Sequence, residues 1–384
     1  MAELNETPRG NRIHIAFFGL RNAGKSTLVN AFTGQRIAIV SDVPGTTTDP
    51  VSKAMEILPL GPCLVTDTAG LDDVGELGEM RVEKTLDVLA TTDIAVWVWG
   101  EEGRGESEEG RGKREEFLEA CRKRGVVVIE YRRGDSVEEL KKRIAAVKLE
   151  ERMPGLLDGL VEKGDRVLCV VPIDESAPKG RLILPQQQVI RECLDRHVVC
   201  TVCQPEELGE TLARQGGDAG RKTLVVTDSQ AFARVSRTIE QSNDRTVRLT
   251  SFSILFARQK GDLGEYVKGL KALERLKDGD EVLVAEGCTH HRQCNDIGSV
   301  KIPKALKKLT GRDLKFTFAS GMDFPLPSTL HPLPSLIVQC GGCMLTRREV
   351  LRRIGLAKAA DVPIVNYGMV LAAANGLRVE DVLA

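Results

Sequence analysis

No apolar run in this chain approaches the length needed to cross a bilayer, and residues 1–12 lack the apolar core of a secretory signal. An excess of charge of one sign is also missing. The 54 Lys and Arg against 55 Asp and Glu leave a net charge of −1, so there is no polyanion-binding signature and no nucleic-acid partner is expected. These absences favour a cytoplasmic protein without a membrane partner. Thiols stay reduced in that compartment, so the ten cysteines are not expected to form a disulfide framework, and some are expected as metal ligands. What is present suits a globular α/β chain: 384 residues allow two or three domains, and 42% hydrophobic with 28% charged residues are ordinary proportions.

Residues 12–18 form an apolar strand candidate that runs into Gly19-Leu20-Arg21-Asn22-Ala23-Gly24-Lys25-Ser26, and a helical pattern opens at Thr27. This is G-x-x-x-x-G-K-S in its strand–loop–helix context. Backbone N–H groups from Gly19 through Thr27 can wrap phosphates, helped by the helix N-terminus. Lys25 would reach the β- and γ-phosphates and Ser26 would hold Mg²⁺. Two further segments follow in the order such a domain requires. Pro44-Gly45-Thr46-Thr47-Thr48-Asp49 precedes a strand at residues 54–58, and Asp67-Thr68-Ala69-Gly70 ends the apolar run 63–66. Thr47 and Asp67 are then candidate Mg²⁺ neighbours, and the Gly70 amide would meet the γ-phosphate.

The three segments together resemble the translation-factor-related GTPases, in particular their Era/TrmE (MnmE) branch. That resemblance implies GTP as ligand, Lys25, Thr47 and Gly70 in catalytic positions, and Asn22 helping to bind an activating K⁺. Leu71 stands where Ras-like proteins carry a water-orienting Gln, which implies slow hydrolysis. One part is missing, because no guanine-binding N-K-x-D occurs anywhere in the chain. Either residues 126–135 are a degenerate base-recognition loop, or that unit is deleted and residues 137–147 are the closing helix; the second is preferred. The charged stretch 101–116 reads as a solvated loop and 117–124 as a helix.

From residue 167 apolar strand candidates (167–171, 197–202, 224–227, 247–250) alternate with helical patterns (186–196, 205–214, 229–241), which implies a parallel sheet covered on both faces. Cys200-Thr201-Val202-Cys203 lies within or at the end of an apolar strand with no second pair nearby, so it reads as core rather than metal site. Further on, a strand at 282–285 leads to Glu286-Gly287-Cys288-Thr289-His290-His291-Arg292-Gln293-Cys294, and one at 336–339 delivers Cys340-Gly341-Gly342-Cys343. Thiols at strand ends sit where open α/β folds hold ligands. Soft thiolates select an iron–sulfur cluster or Zn²⁺, and the spacing alone leaves both open, along with no metal at all.

The stretches 223–232, 249–258, 286–303 and 340–349 closely resemble the [FeFe]-hydrogenase maturation GTPases, the HydF family, and the resemblance covers essentially the whole chain. It implies three domains: a P-loop GTPase domain (1–150), an α/β dimerisation domain (151–258) and an iron–sulfur domain (259–384). It further implies a [4Fe–4S] cluster on Cys288, Cys340 and Cys343, with His290 a possible fourth ligand. The chain would be a homodimer. It would receive a [2Fe] precursor made with the radical-SAM maturases HydE and HydG, and deliver it to apo-hydrogenase. The family pattern places His before the C-x-x-C, whereas this chain has Gln339. Two other readings stand beside this one: an Era/TrmE-like GTPase acting on RNA, and a cluster scaffold whose nucleotide site is a remnant.

Overall fold

The computed structural model describes residues 7–35, 50–73, 76–100, 108–149, 153–173, 182–215, 221–288, 296–321, 324–325 and 332–382. The chain forms two compact units, Met1–Arg152 and Met153–Ala384.

In the first unit β1 (Ile13–Phe18) leads through the glycine-rich loop into α1 (Lys25–Thr33). Then come β2 (Val51–Ile57), β3 (Gly61–Asp67), α2 (Glu76–Thr91), β4 (Ile94–Trp99), α3 (Glu108–Lys123), β5 (Val127–Arg132) and α4 (Val137–Ala145). The sheet order is β2-β3-β1-β4-β5, with β2 antiparallel to β3 and the other pairs parallel. The strand β1 is buried on both faces, as parallel central strands are. Ile15 and Phe17 pack with Leu28, Val29 and Phe32 of α1 and Leu140 and Ile144 of α4. Ala16 and Phe18 pack on the other side with Leu89 of α2 and Phe117 and Cys121 of α3. The charged stretch expected as a loop is helical from Glu108 onward. Its alternating signs are those of a solvated helix face, as the Lys113–Glu116 pair at 3.7 Å shows. A Ser136 hydroxyl accepts the Glu139 N–H and starts α4 with acidic residues in its first turn.

The second unit contains two four-stranded parallel sheets. The first has β6 (Arg166–Val170), α5 (Leu184–Asp195), β7 (Val199–Cys203), α6 (Leu208–Gln215), β8 (Thr223–Thr227), α7 (Phe232–Ser242) and β9 (Val247–Ser251), in the order β7-β6-β8-β9. Helices α8 (Phe252–Lys260) and α9 (Leu263–Ala272) lead to the second, made from β10 (Glu281–Ala285), α10 (Ile302–Thr310), β11 (Lys315–Ala319), β12 (Leu336–Gln339), α11 (Arg347–Ala359), β13 (Ile364–Asn366) and α12 (Tyr367–Ala374), in the order β11-β10-β12-β13. Both sheets therefore repeat one winding, in which the chain goes to one side of its first strand and then returns to the other. The apolar run 254–257 is part of α8, buried between the two halves of the unit: Ile254 and Ala257 join one core, Leu255 and Phe256 the other.

The backbone of α9 lies against β13 so closely that a Cβ added at Gly269 would sit 1.9 Å from the Ile364 carbonyl oxygen. Gly269→Ala is therefore expected to destabilise this unit by about 3 kcal/mol, the upper end for overpacking; a urea midpoint unchanged from the parent chain would contradict that contact.

Candidate functional sites

In the first unit the loop 19–24 is built around a buried lysine. The Lys25 ammonium donates to the Gly19 and Leu20 carbonyls at 3.2 and 2.8 Å, and Asn22 takes a left-handed conformation, φ 59°, which Asn tolerates better than most residues. Burial lowers the Lys25 ammonium to about 8, opposed by the charges of Asp67, Asp72 and Asp73. The strand β3 delivers Asp67 beside the start of α1, where the Ser26 hydroxyl donates to its Oδ2 at 2.6 Å. The other oxygen, Oδ1, is buried with no protein partner. Burial also raises the Asp67 carboxyl, while Ser26 and Lys25 oppose that shift. A hydroxyl and a carboxylate with an unsatisfied oxygen make a donor set that suits Mg²⁺.

The segment after Asp67 is tied to the loop. Leu71 donates its N–H to the Gly19 carbonyl at 3.3 Å, and Asp72 Oδ1 accepts the Arg21 N–H at 2.6 Å. The Arg21 guanidinium reaches Asp72 and Asp73. Gly70 is packed beneath it: an added Cβ would meet the Arg21 nitrogen at 2.8 Å. The Leu71 side chain is buried in the core with Trp97, so it offers no polar group toward the loop. The positions Gly19, Asn22, Ala23, Gly24, Lys25, Ser26, Thr27, Asp67 and Gly70 thus lie around one loop. Thr47 falls outside the described residues.

In the second unit Cys288 follows β10 and Cys340 follows β12. These neighbouring strands flank the point where the winding of the sheet reverses, the crevice in which open α/β sheets hold ligands. The Cys340 sulfur accepts the Gly287 N–H at 3.1 Å and the Gly342 N–H at 3.4 Å. Gly342 has φ +67°, which turns the chain between the two cysteines. Burial raises all three thiols, with Cys288 pushed up to about 12 and Cys343 to about 11. The neighbouring thiolates add to the rise at Cys288, and Lys260 opposes it at Cys343. Among the described residues no three His, Cys, Asp or Glu side chains are gathered tightly enough to hold a metal ion. His290, His291, Cys294 and His331 lie outside those residues. Around Cys340 the structure sets two N–H groups on the sulfur and a glycine turn toward Cys343, surroundings whose chemistry suits a thiolate that binds a soft metal.

Two features of this crevice escaped the sequence reading. Lys260, at the end of α8, has its ammonium on the carbonyls of Gly342, Cys343 and Leu345. Asn366, which starts α12, donates to the Cys340 carbonyl at 3.4 Å. Gln339, which stands where His is expected, is fully buried with its amide on the Tyr266 hydroxyl. The pair Cys200 and Cys203 is separated as strand geometry requires, since residues three apart face opposite sides. Cys200 packs with the α5 core and Cys203 with the other.

Three domain families match the chain: a 50S ribosome-binding GTPase domain over residues 14–148, a hydrogen maturase F dimerization domain over 156–261 and a hydrogen maturase F tetramerization domain over 264–383. Among curated relatives, the tRNA modification GTPase MnmE of Zymomonas mobilis is 30% identical over 48% of this chain and 38% of its own length. The GTPase Der of Xylella fastidiosa is 46% identical over 22% of this chain and 19% of its own. The chain thus spans less than half the length of these curated relatives. The solved structure of Era from Aquifex aeolicus bound to GDP and AlF4⁻ is similar with a TM-score of 0.27 and 14% identity, over 81% of this chain and 94% of that one. Two of the three domain matches are to one family and together span more than half of the chain; with a GTPase domain in front of them, the chain belongs to the hydrogen maturase F family.

Proposed function

We propose that this protein is a GTP-hydrolysing iron–sulfur scaffold of hydrogenase maturation, which accepts a [2Fe] precursor and passes it to apo-hydrogenase. The observation that carries the proposal is the delivery of Cys288 and Cys340 to neighbouring strand ends at the reversal point, inside a domain matching hydrogen maturase F. Cys288, Cys340 and Cys343 would hold a [4Fe–4S] cluster, with His290 a candidate fourth ligand. When bound, such a cluster supplies an iron with an exchangeable position for the precursor. The Gly287 and Gly342 amides orient the Cys340 sulfur. HydE, HydG and apo-hydrogenase would be the partners, in the cytoplasm. The edge strand β7 exposes Val199 and Val202 (63% and 46%) within the residues that match a dimerization domain, which supports a homodimer built on that edge.

In the first unit Ser26, Thr47 and Asp67 would hold Mg²⁺ and Asn22 would help hold K⁺. Lys25 would neutralise the β- and γ-phosphates, and the Gly70 amide would meet the γ-phosphate. The buried Leu71 leaves the attacking water without a side-chain partner, which favours slow, potassium-dependent turnover. The helix α4 lies on the α1 face and β5 pairs directly with β4. This supports deletion of the base-recognition unit, with residues 137–147 as the closing helix. A pocket built to hydrogen-bond its substrate discriminates by about 10⁴–10⁵, so without that unit the preference for GTP over ATP is expected to fall far below this. Hydrolysis of both nucleotides, in K⁺ and in Na⁺, tests the proposal; no binding and no turnover of either would leave only the scaffold.

A further inference from the structure

The ammonium of Lys260 is fully buried at the end of α8. It donates to the carbonyls of Gly342, Cys343 and Leu345 at 3.2, 3.1 and 2.7 Å, which uses all three of its hydrogens. Its charge also lies 5.2 Å from the Phe256 ring centroid. Among the described residues no carboxylate lies within ion-pair distance of it. A buried cation without an anion is expensive, and carbonyl dipoles offset only part of that cost. The charges that do act on it are those of the Cys343 and Cys340 thiolates. Lys25 is arranged in the same way, with its ammonium on the carbonyls of the loop that would cradle phosphates. Each lysine ammonium thus rests on carbonyls of a glycine-rich turn.

We propose that Lys260 is the built-in countercharge of the 340–343 turn: a positioning residue that fixes the Cys343 carbonyl and raises the reduction potential of the metal centre held there. The inference rests on the reading of Cys288, Cys340 and Cys343 as ligands of an iron–sulfur cluster. Net charge close to such a centre is one of the levers on its potential, and a nearby cation favours the reduced, more negative state. Lys260 also ends a helix that begins within the dimerization match and closes on a turn within the tetramerization match. It therefore connects the two halves of the unit at the metal site.

The test compares the full chain with Lys260→Gln, which keeps two N–H donors but no charge, and Lys260→Met, which keeps the stem alone. After anaerobic reconstitution with iron and sulfide, EPR-monitored redox titration reads the midpoint of each. We expect the Gln variant to bind iron at the parent's stoichiometry and to be reduced at least tenfold less at a fixed potential, a shift of 59 mV for one electron. The Met variant should shift the same way and also bind iron less tightly. If the Met variant does not fold, the Gln variant alone decides. Equal midpoints with equal iron in parent and Gln variant would overturn the inference and leave the cluster reading standing. If the parent chain itself takes up no iron, both fall.

Discussion

Replacing Cys340 and Cys343 together by serine should abolish the brown colour and the ~400 nm absorption that anaerobic reconstitution gives the parent chain, with iron falling from about four per chain to background. The Cys340 sulfur already accepts two backbone N–H groups, and a serine hydroxyl can keep one of them. The loss should therefore come from ligation, with a change in unfolding free energy of about 1 kcal/mol or less, as expected where a small side chain is exchanged without opening a cavity. Iron and sulfide analysis beside a thermal unfolding curve separates the two effects. Undiminished iron in the double variant would remove these cysteines from the site, and a colourless zinc protein from the parent would refute the cluster.

Lys25→Ala is expected to reduce nucleotide turnover on the order of 10²–10³-fold, the scale for deleting one preorganised group that faces developing charge. A pH dependence should disappear with it. Burial leaves the Lys25 ammonium of the free protein at about 8, and phosphates in the loop favour its charged form. Binding should thus take up a proton above that pH, and affinity should fall as pH rises from 8 toward 10. In Lys25→Ala this slope should be absent. Initial-rate assays measure the turnover and fluorescence titration with a labelled GTP analogue measures the slope; a variant that turns over and binds within threefold of the parent with the same slope would refute the assignment.

Much of each site was legible in local pattern. The strand–loop–helix around Lys25 and the placement of Cys288 and Cys340 just past apolar runs are short-range features, set by spacing and side-chain type. The helix α3 was misread over residues 108–116 because Gly110 and Gly112 interrupt a charge run whose opposite signs also suit a solvated helix face. The strand β13 is three residues long, too short to show a period. Its pairing with β12 is an outcome of packing against α9 rather than of its own sequence. Arg21, Asp72 and Asp73 were visible as charges, but their meeting depends on how the segment after β3 folds over the loop.

By itself the sequence determined which chemistry the chain carries: a phosphate-binding turn, a hydroxyl and carboxylate for a divalent cation, and three thiols following strands. Those depend on residue type and spacing within a few positions. Only the tertiary structure decided that Cys288 and Cys340 follow adjacent strands at the reversal of a sheet, because 51 residues of chain lie between them in the sequence and parallel pairing, not proximity along the chain, joins β10 to β12. It also decided where the Lys260 side chain goes. Lys260 is the last residue of an apolar helix, and the packing of α8 between two sheets carried its ammonium inside, onto the carbonyls of the cysteine turn.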